Sequence, residues 1–298
     1  MSLASDRIAG HPVSRAMLRL PQFEQLQDRG DNIANALSAM NDHLPKLADV
    51  HACYCLRLRA AAVQEQQMAI DSVSVVLAHG AWADGSSWAR VIAALNAEAV
   101  KVCAAPLPLT SLADDVAALN RSLDRTEGSI VLAGHAYTGA VIALAHPGRV
   151  KALVYVTGLA PDEGEKVADV FFRLKPHPQA PKLVPDNNGL IWLPEEAFKA
   201  AFAQNASWED LAVLAAVQRP ISLSCITIPV GRPLWKDVPS WFLVGENDRM
   251  IVPATQRYMA ERMKAKIKPH AVDHTPSITA PTAVVDVIRD AIGFVTAG

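Results

Sequence analysis

The sequence has little net charge and no long hydrophobic run. Its 298 residues include 28 Lys and Arg and 30 Asp and Glu, which gives a formal net charge of −2. A charge this small offers no electrostatic basis for binding nucleic acid or an anionic membrane surface. Pro, Gly or charged residues interrupt every apolar stretch before it reaches the ~18 residues of a membrane span. We therefore expect neither nucleic acid nor a membrane as a partner.

Patterns for secretion, metal binding and nucleotide binding are also missing. Asp6 and Arg7 precede no apolar core, so no secretory signal is expected. The stretch Gly245–Asp248 follows a predicted strand but lacks the G-x-G-x-x-G spacing of a phosphate-binding loop. The cysteines follow no metal-ligand spacing, which predicts free thiols in a reducing compartment; they are Cys53, Cys55, Cys103 and Cys225. We expect a cytoplasmic protein with no metal and no cofactor.

Residues 1–67 differ in pattern from the rest of the chain. Apolar residues recur at helical spacing between Ile33 and Leu47, and a more polar helix is predicted over 57–67. A regular α/β pattern begins soon after Met68. We predict a helical N-terminal extension over 1–67 and one domain over 68–298. The extension is a helical region packed on the core, an interaction arm, or upstream sequence included by a misplaced start codon.

Strand and helix patterns alternate from Val73 towards the C-terminus. This alternation predicts an α/β fold with a mostly parallel sheet and helices on both faces. The predicted strands are Val73–Ala78, Val100–Ala104, Ile130–Ala133, Ala152–Val156, Ser240–Val244 and Ile267–Val272.

Residues 162–238 interrupt the alternation and are rich in proline. Two helices are predicted there, over Glu195–Gln204 and Trp208–Ala216. An insertion between two core strands is expected to form a lid over the carboxyl ends of the strands. Some of its aromatic side chains, Trp192 among them, would line a pocket, while most would form the core of the lid itself.

A strand, a glycine turn and the start of a helix follow one another within Ser129–Gly139. The helix is predicted from Tyr137 to Ala145. This is the frame of a nucleophile elbow, G-x-S-x-G, which holds a reactive side chain at the carboxyl end of a strand. Ala136 occupies the nucleophile position and Thr138 the position of the last glycine. A methyl group cannot attack a carbonyl, so the motif predicts the local fold of this stretch but does not identify the reaction.

From about residue 70 onward, four motifs in order resemble the α/β-hydrolase superfamily, and more closely its small methylesterases, hydroxynitrile lyases and related bacterial esterases. The matching segments are His79-Gly80-Ala81-Trp82 with Trp88, Gly134–Gly139, Gly245–Asp248, and His274 seven residues before Pro281. The resemblance implies an α/β-hydrolase fold and an esterase-type site for a small ester-like or carbonyl substrate.

The resemblance also implies roles for individual residues. His274 would be the general base, because a pKa near about 6.5 suits proton transfer around neutrality. Asp248 would accept the Nδ1 proton of His274 and fix its tautomer; the adjacent Asp273 is a weaker candidate. The backbone amides of Ala81 and Tyr137 would form an oxyanion hole. Substrate contacts are expected from Trp82, His135 and Trp192.

Ala136 leaves three interpretations open. It is an engineered Ser→Ala replacement in an ordinary ester hydrolase, although the second departure at Thr138 weakens this. It is natural, and the enzyme uses His274 and Asp248 for acid–base catalysis without a covalent intermediate. Alternatively, the protein is a catalytically inactive, ligand-binding pseudo-hydrolase. The retention of both His274 and Asp248 favours an enzyme.

Overall fold

The computed structural model describes residues 73–297. The helical extension predicted over 1–67 lies outside the described residues. The core of the described chain is a six-stranded sheet in the order β2-β1-β3-β4-β7-β8, in which every neighbouring pair is parallel. Its strands are β1 (Val73–Ala78), β2 (Lys101–Ala105), β3 (Ser129–His135), β4 (Val150–Val156), β7 (Ser240–Gly245) and β8 (Lys266–His270). The predicted α/β fold with a mostly parallel sheet is confirmed.

Ten α-helices of the described region surround or extend this sheet. In chain order they are α1 (Ala89–Ala97), α2 (Leu112–Asp124), α3 (Thr138–Ile142), α4 (Val167–Phe171), α5 (Glu195–Ala197), α6 (Trp208–Val217), α7 (Ser224–Thr227), α8 (Pro253–Arg262), α9 (Pro276–Thr279) and α10 (Pro281–Ala297). Short 3₁₀ turns lie at Gly85–Trp88 and Leu234–Lys236. No helix of the described region is long and apolar enough to cross a membrane.

Two hydrophobic clusters cover the two faces of the sheet. Successive residues of β1 alternate between them, because side chains along a strand point to opposite faces. Val75 and Leu77 pack with the buried residues of α1 and α10, whereas Val76 and Ala78 pack with those of α2, α3 and α8. Helices therefore cover both faces, as predicted, and hold the carboxyl ends of β3, β7 and β8 at one edge.

Most predicted strands differ from the observed ones by one or two residues at an end, and two of the predicted elements end clearly earlier. The strand predicted to reach Val272 ends at His270, where the amide of Val272 donates to the carbonyl of His270 in a tight turn. The helix predicted to reach Ala145 ends at Ile142, because the amides of Leu144 and Ala145 bond three residues back and tighten the last turn.

Between β4 and β7 the chain forms an inserted segment, residues 157–239. It contains α4 to α7 and a two-stranded antiparallel ladder of β5 (Leu190–Ile191) and β6 (Ile221–Ser222). The helix predicted over Glu195–Gln204 is α5 continued by a π-helical turn, Phe198–Phe202. The second predicted helix is α6, which the side chain of Ser207 caps by accepting from the amide of Asp210.

Candidate active site

Ala136 lies in a strained turn directly after β3. Its φ is 52°, a left-handed backbone conformation that a non-glycine residue rarely adopts. Hydrogen bonds hold this turn on both sides: the Ala136 amide donates to the Val156 carbonyl at 3.2 Å, and the Leu159 amide donates to the Ala136 carbonyl at 2.9 Å. Such strain persists where the surroundings enforce it, commonly at functional sites. The backbone of a nucleophile elbow is thus present, and a methyl group stands at its tip.

Gly139 supplies the close helix approach that the altered position 138 does not. A Cβ at Gly139 would lie inside contact distance of the Leu159 carbonyl oxygen, and 3.0 Å from both the Leu159 nitrogen and Cδ1 of Tyr155. Thr138 is buried instead, and its hydroxyl donates to the Ala78 carbonyl at 2.8 Å and the His135 carbonyl at 2.9 Å. The position that must be glycine in this turn is therefore 139, one residue later than in the G-x-S-x-G motif.

We predict that Gly139→Ala destabilises the protein by about 1–3 kcal/mol, because the neighbouring atoms belong to backbone and an aromatic ring and cannot withdraw cheaply. Chemical denaturation followed by tryptophan fluorescence measures the effect. Gly148→Ala is the matched control, because nothing lies within 4 Å of a Cβ there. Equal effects of the two substitutions would contradict the close approach.

His274 and Asp248 form a buried hydrogen-bonded pair. The Nδ1–H of His274 donates to Oδ2 of Asp248 at 2.8 Å, and the two side chains are 2% and 0% exposed. Asp248 follows β7 and His274 follows β8, so adjacent parallel strands bring them together at one edge of the sheet. With Nδ1 so occupied, Nε2 of His274 is free to exchange a proton in the pocket that the residue lines.

Asp248 also stabilises its own loop. Its Oδ1 accepts from the amides of Met250 and Ile251, at 2.7 and 2.9 Å, and its Oδ2 accepts from Nε2 of Gln256 at 2.8 Å. Asp273, the weaker candidate from sequence, instead accepts from the Asn205 amide and from residues 275 and 279. Asp248 rather than Asp273 therefore orients the imidazole.

His135 contacts His274 but not the pocket. Its Nε2–H donates to the His274 carbonyl at 2.7 Å, and the Thr157 hydroxyl donates to the same oxygen at 2.9 Å. The two imidazole rings are 4.9 Å apart between centroids. Burial, together with the nearby His274, lowers the pKa of His135 to about 3. The structure places His135 behind His274, where its ring supports the backbone of that residue and does not line the cavity in which substrate is expected from the sequence.

The two tryptophans expected to bind substrate lie in different environments. Trp82 lines the pocket, and its indole N–H donates to the Ile191 carbonyl at 2.9 Å. Trp192 is 47% exposed and its indole donates to Asp186 at 3.3 Å, outside the pocket. Ile191, its neighbour in the chain, lines the pocket instead because successive residues of an extended segment point to opposite sides. This corrects the expectation for Trp192.

A cavity of about 180 Å³ joins these residues to the inserted segment. Ala81, Ala136, Tyr137 and His274 form its floor, and apolar side chains of the inserted segment and of the loop after β7 form most of its walls: Val167, Phe171, Phe172, Leu183, Ile221 and Met250. None of the wall residues carries a formal charge apart from the titratable His274. Met250 is not singled out by the sequence analysis. Its position two residues after Asp248, in the loop that follows β7, is a signal that could have indicated it.

The backbone amides of Ala81 and Tyr137 do not donate to any loop or turn carbonyl of the described chain. Across residues 73–297, neither amide donates a hydrogen bond outside the regular elements. Both residues line the cavity beside Ala136. Two such donors would suit an oxygen that gains negative charge during a reaction.

A buried carboxyl that the sequence did not indicate supports Tyr137. Asp115, in the first turn of α2, is fully buried and accepts from the Tyr137 hydroxyl and from the Leu109 amide, both at 2.7 Å. Burial raises the pKa of the Asp115 carboxyl. Because the Tyr137 hydroxyl is engaged there, the Tyr137 side chain contributes an anchored ring to the cavity.

Comparison with known proteins places the chain among hydrolases. The Alpha/beta hydrolase family matches residues 75–287. A curated relative, the alpha/beta hydrolase nvfD of Aspergillus novofumigatus, is 23% identical over 205 residues, and the match covers 62% of this chain and 80% of the relative.

Solved structures with the same fold include esterases and a synthase. A pyrethroid hydrolase from Sphingobium faniae is 21% identical with a TM-score of 0.61, over 74% of this chain and 98% of that one. Tomato methylketone synthase I, complexed with 2-tridecanone, is 18% identical with a TM-score of 0.63, over 75% of this chain and 98% of that one. The family match spans most of the described sheet, both functional loops and the elbow, and the chain therefore belongs to the alpha/beta hydrolase family.

Proposed function

We propose that this protein performs acid–base catalysis on a small carbonyl or ester-like compound without forming a covalent intermediate. The observation that carries the proposal is an elbow backbone with Ala136 at its tip beside an intact His274–Asp248 pair. The elementary step is removal of a proton from the carbon next to a substrate carbonyl by Nε2 of His274. The amides of Ala81 and Tyr137 would hold the resulting enolate oxygen, each such donor being worth ~3 kcal/mol. Return of the proton from His274 completes the cycle.

No other side chain of the turn replaces the missing nucleophile. The Thr138 hydroxyl is buried and donates to two backbone carbonyls, so it is oriented away from the cavity floor. A small methyl group at 136 leaves space where a serine oxygen would otherwise stand. We infer that a substrate atom or a water molecule occupies this space.

The walls of the cavity favour a neutral substrate with an apolar chain. A charged substrate would lose its hydration without gaining a partner of opposite charge, which is costly. The polar wall groups that remain, apart from backbone, are those of His274, Thr227, Tyr137 and Trp82, and the last two are engaged with Asp115 and with the Ile191 carbonyl. Tomato methylketone synthase I was solved with 2-tridecanone, a ketone with an alkyl chain. Methyl ketones are therefore suitable first probes, with aryl and alkyl esters alongside.

Deuterium exchange tests the proposed step directly. We expect the protein to accelerate exchange of the protons next to the carbonyl of 2-nonanone in D₂O above the buffer rate, as followed by NMR. Saturable binding of the ketones and esters, with no exchange and no product after prolonged incubation, would contradict the proposal. It would support an inactive, ligand-binding pseudo-hydrolase instead.

Ala136→Ser tests whether the remaining apparatus can support covalent chemistry. We expect hydrolysis of p-nitrophenyl butyrate to rise about 10²-fold, because the serine would stand at a preformed elbow beside a general base. Stopped assays of p-nitrophenol release measure the gain. The matched control is Ala136→Ser combined with His274→Ala, which should remove the gain. A folded serine variant that is inert towards p-nitrophenyl esters of every chain length would contradict the site assignment.

A further inference from the structure

A smaller cavity adjoins the cavity at His274 at the side chains of Phe171 and Phe172. This second cavity, of about 30 Å³, shares four wall residues with the first, namely Phe171, Phe172, Leu183 and Met250. Five apolar residues complete the second cavity: Leu174, Pro176, Ala180, Pro181 and Val252. We name the cavity at His274 the inner chamber and the second cavity the outer chamber.

We propose that the outer chamber binds the distal end of an unbranched apolar chain whose carbonyl lies at His274 in the inner chamber. This inference rests on the proposed function for the position of the carbonyl, and it deepens that function by naming a chain-bearing substrate class. The two chambers adjoin each other because they share four wall residues, and one extended chain that passes between these side chains would occupy both.

The chemistry of the outer chamber suits the end of a chain better than a separate ligand. All nine of its wall residues are apolar, so it offers no side-chain hydrogen bond or charge that would anchor a polar molecule. Its volume accommodates roughly two water-sized groups. A chain already held at its carbonyl end would place its last one or two carbons there.

The exposure of the wall residues indicates that something apolar should cover them. Phe172 is 57% exposed and Leu174 is 41% exposed, although both border an apolar cavity. Three cations adjoin these wall residues in the sequence, namely Arg173, Lys175 and Lys182. None of them lines the outer chamber, and Arg173 stacks over the ring of Tyr258 at 3.8 Å. Removing the exposed apolar surface from water would make each added methylene favourable.

The backbone around the outer chamber is restrained. Pro176 and Pro181 fix their own φ angles, and the amide of Ala180 donates to the His177 carbonyl at 2.9 Å. A chamber with restrained walls measures chain length, because it fills at a definite number of carbons and then accepts no more.

Binding of a homologous series tests the inference. We expect isothermal titration of 2-alkanones, from 2-hexanone to 2-undecanone, to show Kd falling about fourfold per added methylene until the outer chamber is full, and then levelling. Ala180→Trp should fill the outer chamber. It should weaken binding of the longest ketones about tenfold, leave 2-hexanone unchanged and move the levelling point to shorter chains by about two carbons.

Ala212→Trp is the matched control, since Ala212 is exposed on α6 and lines neither chamber. Leu174→Ala provides a second variant that removes part of the wall, and it should weaken only the long ketones. An unchanged levelling point in folded Ala180→Trp protein, or equal weakening at every chain length, would overturn the inference.

The two proposals fail separately in these measurements. Length-dependent binding that Ala180→Trp shortens, without deuterium exchange, would support the outer chamber and contradict the proposed acid–base function. Exchange in the wild-type protein with a length dependence that Ala180→Trp leaves unchanged would contradict the outer chamber alone.

Discussion

Replacing His274 with alanine is expected to lower the rate of proton exchange next to a ketone carbonyl by about 10²–10⁴-fold. Nδ1 of His274 donates to Asp248, which leaves Nε2 as the basic nitrogen that faces the inner chamber. No other side chain on the wall of this chamber offers a basic nitrogen. Removing the imidazole should eliminate the base while leaving the amides of Ala81 and Tyr137 in place. The measurement is the NMR exchange assay at saturating ketone, together with titration of ketone binding.

Two further variants show whether the loss is specific. His146→Ala changes an exposed histidine outside the chambers and should leave the exchange rate unaltered. Asp248→Asn should also slow exchange strongly, because an amide cannot stabilise the imidazolium or fix the tautomer as a carboxylate does. Thermal denaturation of that variant reports the separate loss of contacts to Met250, Ile251 and Gln256. Exchange that persists at the wild-type rate in folded His274→Ala protein would refute the catalytic assignment.

Acidification should destabilise the protein strongly through His135. The native pKa of His135 is lowered to about 3 by burial and by the nearby His274, whereas an unfolded histidine titrates near about 6.5. Between these values the unfolded state binds a proton that the native state does not. The free energy of unfolding therefore falls as the pH drops from about 6.5 towards 3, by on the order of 4 kcal/mol from this residue.

The structure explains why the native state resists this proton. Nε2 of His135 already donates to the His274 carbonyl, and Nδ1 has no hydrogen-bond partner within the described chain. A Cβ on Gly80 would lie 2.7 Å from this Nδ1, which shows how closely the backbone approaches it. A second N–H there would be buried without an acceptor.

Denaturation in urea at several pH values between 7 and 4 measures the effect. His135→Asn should flatten the pH dependence of the unfolding free energy, even if the variant is less stable overall. Burial also lowers the pKa of His79, so part of the acid sensitivity should remain. His146→Asn, at an exposed position, should follow the wild-type curve. Parallel curves for His135→Asn and wild type would contradict the assignment.

The parts of this molecule that depend on local pattern were predictable from sequence. The core strands read as apolar runs because both faces of a parallel sheet are buried. The elbow, Asp248 and His274 each follow a strand at a fixed offset, and parallel strands that end at one edge bring such residues together. Position alone therefore indicated the His274–Asp248 pair, and the structure gives its 2.8 Å hydrogen bond.

The parts that depend on how the inserted segment packs were not predictable. Trp192 and Ile191 are adjacent, and no pattern in the sequence shows which of the two faces the inner chamber. Asp115 resembles an ordinary acidic residue in the first turn of a helix, and its burial beneath Tyr137 depends on contacts across the fold. The position of His135 depends on the same kind of packing, because its ring reaches the His274 backbone rather than the cavity.

The hydrogen bond from the Leu159 amide to the Ala136 carbonyl has a consequence for how substrate reaches the base. Leu159 lies at the start of the inserted segment, where Ala160 also accepts from Arg262 at 2.7 Å. If the inserted segment moved as a hinge about Leu159, it would break this hydrogen bond and displace Ala136. We therefore expect the start of the segment to stay in place. Any part of the inserted segment that moves should lie further along the chain, away from Leu159 and Ala160.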